Sequence, residues 1–186
     1  KFASKIRVIK MKIAIIGTGN MGTGFAKSLA KTEHEVFIGA RDPEKGMKMA
    51  KSFGNFSGGS VREAAEFGEV IILAVPWHGV KDVLRQTGDM SGKILIDITN
   101  PLKQDYSGLD VGFTTSAAEE IAKLVPRARV VKAFNTIFAE VLQGAKFKEG
   151  SPNVFICGDH QDAKEKVSQI AKDLGYEPID VGPLSS

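Results

Sequence analysis

Gly17-Thr18-Gly19-Asn20-Met21-Gly22 directly follows the apolar run Lys12–Ile16, and this succession decides the fold. The six residues form a G-x-G-x-x-G turn. Its first glycine lets the chain leave a strand tightly, its second lets backbone N–H groups approach a pyrophosphate, and its third lets the next helix pack on the sheet. A predicted helix over 21–30 and a second strand over 35–39 complete a β-α-β unit. The pattern indicates a dinucleotide site, and an ordinary glycine-rich turn is the simpler alternative.

The end of the second strand distinguishes the two common dinucleotides. An NAD site usually carries Asp or Glu there to hold the ribose 2′-hydroxyl, whereas an NADP site leaves the place uncharged and supplies Arg. Here Ala40 occupies it, Arg41 follows, and Lys45 lies one helical turn into the next segment. The residues therefore favour NADP(H), with Arg41 and Lys45 on the 2′-phosphate. In the alternative interpretation both cations are solvated, and Asp42, as a helix N-cap before Pro43, holds the ribose.

The composition is typical of one globular domain. The 186 residues are 42% hydrophobic, enough for a sizeable core, and the net charge of +3 is too small and too scattered for a nucleic-acid-binding protein. Cys157 is the only cysteine and cannot form an internal disulfide, which agrees with a reducing cytosol; we expect it to fill the end of a strand.

The apolar stretches are strand-sized, which predicts no membrane span. We therefore expect a cytoplasmic protein. Met11 immediately precedes the first strand. This predicts that residues 1–10 are an N-terminal extension and that residues 11–186 are an NADP-binding Rossmann domain.

Strands and helices alternate along the chain, which predicts a doubly wound α/β fold with a mostly parallel Rossmann-type sheet and helices on both faces. Capping boxes at Ser60 and Ser116 predict two helix starts. The continuous apolar run 70–75 predicts a fully buried parallel strand. The other predicted strands lie near 55–57, 93–98, 129–134, 153–157 and 177–181, and the other helices near 43–53 and 162–174.

Ligands of such sheets bind outside the carboxyl ends of the strands, where the strand order reverses. Four predicted strand ends combine apolar surface with amide or hydroxyl groups, which suits a nicotinamide. They are Val75-Pro76-Trp77-His78, Thr99-Asn100-Pro101-Leu102, Phe134-Asn135-Thr136-Ile137 and Gly182-Pro183-Leu184-Ser185.

The sequence offers little acid or base chemistry. His34, His78 and His160 lack metal-site spacing, and no G-x-S-x-G nucleophile motif is present. His78 is either an exposed residue or an acid or base, and Trp77 either walls a pocket or packs on the next helix. Hydride transfer between two stacked rings would explain the pattern, because it depends on holding them about 3–3.5 Å apart. We expect no catalytic side chain and no metal.

Five motifs together resemble the coenzyme F420-dependent NADP oxidoreductase family, and the resemblance covers residues 11–186. The motifs are Ile16-Gly17-Thr18-Gly19-Asn20-Met21-Gly22, Gly39-Ala40-Arg41, Val75-Pro76-Trp77, Lys132-Ala133-Phe134-Asn135-Thr136 and Asp180-Val181-Gly182-Pro183-Leu184-Ser185-Ser186. The last two are the most specific. The motifs are also similar to the NADPH-binding reductase domain of six-transmembrane metalloreductases.

This resemblance implies cofactor contacts for individual residues. It places Thr18, Gly19, Asn20 and Met21 on the pyrophosphate, Ala40, Arg41 and Lys45 on the 2′-phosphate, and Val75, Asn100 and Ala139 beside the nicotinamide. A deazaflavin, coenzyme F420, would be the second substrate. It would stack between the ends at Val75-Pro76, Phe134-Asn135-Thr136 and Gly182-Pro183-Leu184, and a homodimer is a further expectation.

The residues are also compatible with two other functions. The protein could reduce a flavin, a ferric complex or a small carbonyl compound with NADPH. It could also be an NADP(H)-binding sensor module without turnover.

Overall fold

A computed structural model describes residues 10–143 and 150–186 of the chain. The predicted N-terminal extension lies outside the described residues except for Lys10. The strands are β1 Lys12–Ile16, β2 Glu35–Ala40, β3 Ser57–Ser60, β4 Val70–Leu73, β5 Ile94–Asp97, β6 Arg129–Lys132, β7 Asn153–Gly158 and β8 Glu177–Gly182. The helices are α1 Asn20–Leu29, α2 Pro43–Lys51, α3 Val61–Phe67, α4 Val80–Leu84, α5 Ala117–Leu124, α6 Ala139–Leu142 and α7 Gln161–Asp173, and a 3₁₀ turn at Trp77–Gly79 precedes α4.

The strands form one sheet in the order β3-β2-β1-β4-β5-β6-β7-β8. Neighbouring strands are parallel except β6 and β7, which are antiparallel. From β1 the chain runs outward to β3, returns to β4 on the other side of β1, and continues outward to β8. The predicted doubly wound, mostly parallel fold is confirmed, and its switch point lies between β1 and β4.

Helices cover both faces of the sheet, and alternate residues of β1 therefore belong to two different cores. Ile13 and Ile15 lie in the core that α1 and α7 cover, whereas Ala14 and Ile16 lie in the core under α3, α4 and α5. Successive side chains of a strand point to opposite faces, so a strand buried on both faces is apolar throughout.

The third strand departs from its predicted position. The sequence pattern predicted a strand near 55–57, but the structure places β3 at Ser57–Ser60, paired with the carboxyl half of β2. This strand has little intrinsic β preference and forms because α2 crosses it at backbone distance. A Cβ atom on Gly58 would lie 2.4 Å from the carbonyl oxygen of Gly46 on α2. A tertiary contact therefore decides the position of β3.

The sequence patterns also did not predict α4, α6 or the reversed direction of β7. The two helices have five and four residues, too few turns to show a helical period. The direction of a strand depends on the path of its connections, which residue periodicity does not record.

His34 joins three distant parts of the fold. Its side chain is fully buried, Nδ1 accepts a hydrogen bond from the Met11 N–H at 3.2 Å, and Nε2 lies 3.0 Å from Oδ2 of Asp173 at the end of α7. Because Nδ1 accepts, the ring proton is on Nε2 and is donated to Asp173. The histidine therefore connects the entry of β1 to α7.

His34→Ala should lower the free energy of unfolding by about 2–4 kcal/mol, because it removes two hydrogen bonds and leaves a buried N–H unpaired. Urea unfolding followed by circular dichroism measures the change. His78→Ala, at an exposed position of the 3₁₀ turn, should change it by less than about 0.5 kcal/mol. Equal losses in the two variants would contradict a structural function of the His34 contacts.

Candidate functional site

A cleft of about 490 Å³ opens at the carboxyl ends of β1, β2 and β4, where the strand order reverses. It brings together the first glycines of the turn, the end of β2 and the segment after β4. The predicted site residues that line it are Gly17, Thr18, Gly19, Ala40, Arg41, Lys45, Val75 and Pro76.

The glycine turn between β1 and α1 is closely packed at two positions and open at the third. Gly17 has a φ of 125°, and a Cβ atom there would lie 2.1 Å from the carbonyl oxygen of Ala74. A Cβ atom on Gly22 would lie 2.0 Å from the carbonyl oxygen of Gly17. By contrast, no contact within 4 Å of a Cβ position on Gly19 is found among the described residues. Protein atoms therefore require Gly17 and Gly22, whereas the space beside Gly19 is free for a ligand.

The N-terminus of α1 is suited to an anion. Gly19 is its N-cap residue and makes no side-chain cap bond, and the first turn contains no acidic residue. The N–H groups and the positive end of the helix dipole thus meet no carboxylate of that turn. Asn20 is exposed at the first position of α1, but the side chain of Met21 packs against the core, so a phosphate contact at Met21 would use its main chain.

Two cations stand at the β2 side of the cleft. Arg41 and Lys45 are both exposed, and neither pairs with a carboxylate within residues 10–143 and 150–186. Asp42 between them caps α2, since its Oδ1 accepts the Glu44 N–H at 3.1 Å. One carboxylate oxygen of Asp42 is therefore engaged in the helix cap, and the cations at this corner face a ligand-sized space.

A second cavity of about 330 Å³ lies at the ends of β5, β6, β7 and β8, on the same edge of the sheet as the cleft. Asn100, Asn135 and Leu184 from three of the predicted strand ends line it. The Asn100 Nδ2 group donates a hydrogen bond to the Asn135 carbonyl oxygen at 3.0 Å and joins the ends of β5 and β6. Because β4 and β5 are neighbours, the cleft and the second cavity are adjacent.

Two residues that were predicted to contact a cofactor do not line these cavities with their side chains. Phe134 is 1% exposed, and its ring packs edge-on against Phe25 and Tyr176. The ring therefore faces the core, and only the main chain of Phe134, at a φ of 62°, can face a ligand. Ala139 begins α6, which packs on α1, and it is not among the described residues that line either cavity.

A hydrogen bond links the rims of the two cavities. Trp77 Nε1 donates to Asp110 Oδ2 at 2.7 Å, and Trp77 also packs against the core under α3 to α5. Trp77 follows Pro76 of the cleft, and Asp110 lies between Leu109 and Val111 of the second cavity. Sequence reasoning missed Asp110, because a single aspartate in a loop carries no signal of its partner.

The floor of the second cavity contains an ion pair that sequence reasoning also missed. Lys132 lines this cavity, and its Nζ lies 2.8 Å from Oδ2 of the fully buried Asp97. Cys157, paired with Lys132 across the sheet, lies at a strand end as expected. Burial raises the pKa of its thiol, which disfavours the nucleophilic thiolate. In the sequence, Lys132 appears only as part of a motif. Its burial could not be predicted from that motif, because it depends on the packing of three strands.

The described part of the chain contains neither a metal-binding cluster nor a helix that could cross a membrane. No group of three or more His, Cys, Asp or Glu side chains could hold a metal ion. None of its helices combines the length and the apolar character that crossing a bilayer requires.

Comparison with known proteins identifies the family. Residues 12–101 match the family model described as NADP oxidoreductase, coenzyme F420-dependent. The F420-dependent NADP reductase of Methanothermobacter marburgensis is 35% identical over 95% of this chain and 86% of its own length. A crystal structure from Arthrobacter sp. FB24, described as a candidate F420-dependent NADP reductase, has a TM-score of 0.85 at 31% identity, covering 94% of this chain and 86% of that one.

The rat metalloreductase STEAP3 is also similar, at 33% identity over 94% of this chain. The chain spans only 34% of that metalloreductase. The reductase similarities, in contrast, extend over most of both proteins in each pair. The chain therefore belongs to the coenzyme F420-dependent NADP oxidoreductase family, a family of NADP-dependent oxidoreductases.

Proposed function

We propose that the protein transfers a hydride between NADP(H) in the cleft at the switch point and coenzyme F420 in the second cavity. The observation that carries the proposal is the adjacency of the two cavities along one edge of the sheet. Two rings can exchange a hydride only when their reacting atoms lie about 3–3.5 Å apart, so neighbouring sites are a geometric requirement.

The cleft would hold NADP(H) by three sets of contacts. The backbone from Gly17 to Gly19 and the N-terminus of α1 would bind the pyrophosphate, because that helix end has no carboxylate in its first turn. Arg41 and Lys45 would bind the 2′-phosphate, and a guanidinium can form two parallel hydrogen bonds with it. Main-chain positions of Asn20, Met21 and Gly22 lie beside the same helix end.

The nicotinamide would lie where the cleft meets the second cavity. Val75 and Pro76 line the cleft side of this boundary, and Asn100 lines the other side. The side-chain amide of Asn100 already holds the end of β6 through the Asn135 carbonyl. These residues would orient the ring by apolar contact and amide hydrogen bonding, while the Trp77–Asp110 bond keeps the two rims together.

The two cofactors would supply the redox chemistry, since a hydride would carry both electrons from the nicotinamide to a new C–H bond on the deazaflavin. The protein then contributes positioning and exclusion of water. Among the described residues, those that line the cleft include no histidine or cysteine.

NADPH-dependent reduction of a flavin or ferric complex is a second candidate function. The observation that favours it is the 33% identity to the rat metalloreductase STEAP3, which extends over 94% of this chain. The same cleft would serve NADPH in both functions, so the acceptor alone distinguishes them.

Gly19→Ala should fold normally but bind NADPH at least about tenfold more weakly, since the new methyl group enters the space proposed for the pyrophosphate. The free energy of unfolding should fall by less than about 1 kcal/mol, because alanine is a poorer N-cap residue than glycine. Isothermal titration calorimetry measures the affinity. Gly79→Ala is the matched control, since Gly79 is also an N-cap residue and its Cβ position has no contact within 4 Å in the described part of the chain. Unchanged affinity in Gly19→Ala would place the pyrophosphate elsewhere.

Arg41→Ala should weaken NADPH binding by about 1.5–3 kcal/mol, the usual loss for a charge-assisted hydrogen bond, with little effect on NADH. Fluorescence titration with both cofactors measures the difference. Lys48→Ala removes the same charge from an exposed position of α2 outside the lining of the cleft and should change neither affinity. If Arg41→Ala weakened the two cofactors equally, the assignment to the 2′-phosphate would be wrong.

The acceptor is tested by anaerobic oxidation of NADPH with oxidised F420, beside riboflavin, FMN and a ferric chelate. We expect rapid loss of the deazaflavin absorbance, with a deuterium kinetic isotope effect from only one of the two C4 positions of NADPH. Turnover with ferric chelate or flavin alone would instead support the second candidate. Tight binding of NADPH without oxidation by any acceptor would indicate a sensor module.

A further inference from the structure

The second cavity contains one charged group that the proposed function does not yet use. Among the described residues that line it, Lys132 alone has a charged side chain. The lysine is the last residue of β6, and its side chain is 16% exposed. Burial of an ammonium group is costly, so a cation at this depth needs an anionic or hydrogen-bonding partner.

The partner is Asp97, the last residue of β5 and the neighbour of Lys132 in the sheet register. Lys132 Nζ lies 2.8 Å from Asp97 Oδ2 and also donates to the Thr99 carbonyl oxygen. The other carboxylate oxygen of Asp97 accepts the Thr99 N–H at 2.8 Å. Because Asp97 is fully buried and Lys132 is not, the positive end of the pair is the end that reaches the cavity.

This strand end keeps unused hydrogen-bonding capacity. An ammonium group has three N–H donors. Within the described residues Lys132 uses two of them, on Asp97 and Thr99. The buried hydroxyl of Thr99 has no partner in the same part of the chain.

A purely structural ion pair is the simpler interpretation, and two facts count against it. β5 and β6 already pair through their main chains over four residues, from Ile94↔Arg129 to Asp97↔Lys132. Buried ion pairs are also often replaceable by apolar residues without loss of stability. The pair therefore adds little to strand pairing, but it places a positive charge at the floor of a ligand-sized cavity.

We propose that Lys132 binds the acceptor ring and stabilises the negative charge that the ring gains when it receives a hydride. The inference rests on the proposed function and deepens it. It specifies the acceptor as a planar conjugated heterocycle whose carbonyl or ring-nitrogen edge accepts a hydrogen bond from the lysine.

The charge balance shows why a cation is useful here. The C4–H bond of the reduced nicotinamide breaks, a new bond to hydrogen forms on the acceptor, and two electrons move with the hydride. The cofactor becomes NADP⁺, and the acceptor gains one negative charge. Lys132 keeps its proton and donates a hydrogen bond to the anion, which water protonates later. A preformed donor in a buried site stabilises such developing charge more than bulk water does.

The test compares the dissociation constants of oxidised and reduced F420, and of oxidised and reduced riboflavin, for wild type and Lys132→Met. Wild type should bind the reduced form of its acceptor more tightly than the oxidised form. Lys132→Met should reduce this preference at least about tenfold, which corresponds to about 30 mV in the two-electron potential of the bound acceptor. The kcat should fall about tenfold to a hundredfold, while the affinity for NADPH stays unchanged.

Further variants separate charge from folding. Lys132→Met leaves Asp97 buried without its cation, so the double variant Asp97→Asn/Lys132→Met removes both charges and should lose the same preference. Lys132→Arg keeps the charge and should retain most of the preference for the reduced acceptor. Lys93→Met is the matched control, since Lys93 is half-buried at the opposite end of β5 and donates to the Gly68 carbonyl oxygen at 2.8 Å. It should leave the preference intact.

The outcomes distinguish this proposal from the proposed function. If wild type turns over an acceptor and Lys132→Met lowers only the unfolding midpoint, with the preference unchanged, the lysine is structural and this inference is overturned. If wild type binds an acceptor but does not reduce it, the hydride-transfer function fails, and the binding preference still decides the contact with Lys132. If wild type binds neither F420 nor riboflavin in either form, both proposals fail.

Discussion

The backbone contact between the ends of β1 and β4 is the constraint on which the rest of the structure depends. Gly17 follows β1 and packs directly against the carbonyl group of Ala74. Gly22 in turn lets α1 pack against the carbonyl group of Gly17. No side chain fits at either position. This packing places the N-terminus of α1 at the switch point, where the two halves of the sheet diverge and the cleft opens.

The direction of the strands then determines the chemistry of the sheet edge. Parallel strands align their carboxyl ends, so residues far apart in the sequence, such as Val75, Asn100 and Lys132, meet along one line. The cations Arg41 and Lys45 and the N-terminus of α1 lie at β1 and β2, and the amide and lysine groups lie at β5 and β6. Hydride transfer would proceed across the boundary between them, at β4 and β5.

Two buried polar side chains, Asp97 and Thr99, lie at this same edge of the sheet. The sheet is apolar through its centre, yet Asp97, Thr99 and Lys132 place a hydrogen-bonded charge pair where β5 and β6 end. Phe134 adopts a positive φ immediately after this pair and turns its ring into the core. Backbone conformations of this kind are costly for a bulky residue and cluster at functional sites. Here the turn redirects the chain so that the Asn135 carbonyl oxygen meets Asn100.

The sequence by itself determined the doubly wound fold, the glycine turn and the cations at the end of β2, because periodicity, glycine spacing and local charge are properties of short segments. Only the tertiary structure decided the position of β3, the burial of the Phe134 ring, and the Asp97–Lys132 and Trp77–Asp110 contacts. Each of these depends on contacts between residues of different helices, strands or loops. Their energies arise from packing and hydrogen bonding across long sequence separations, which no local pattern encodes.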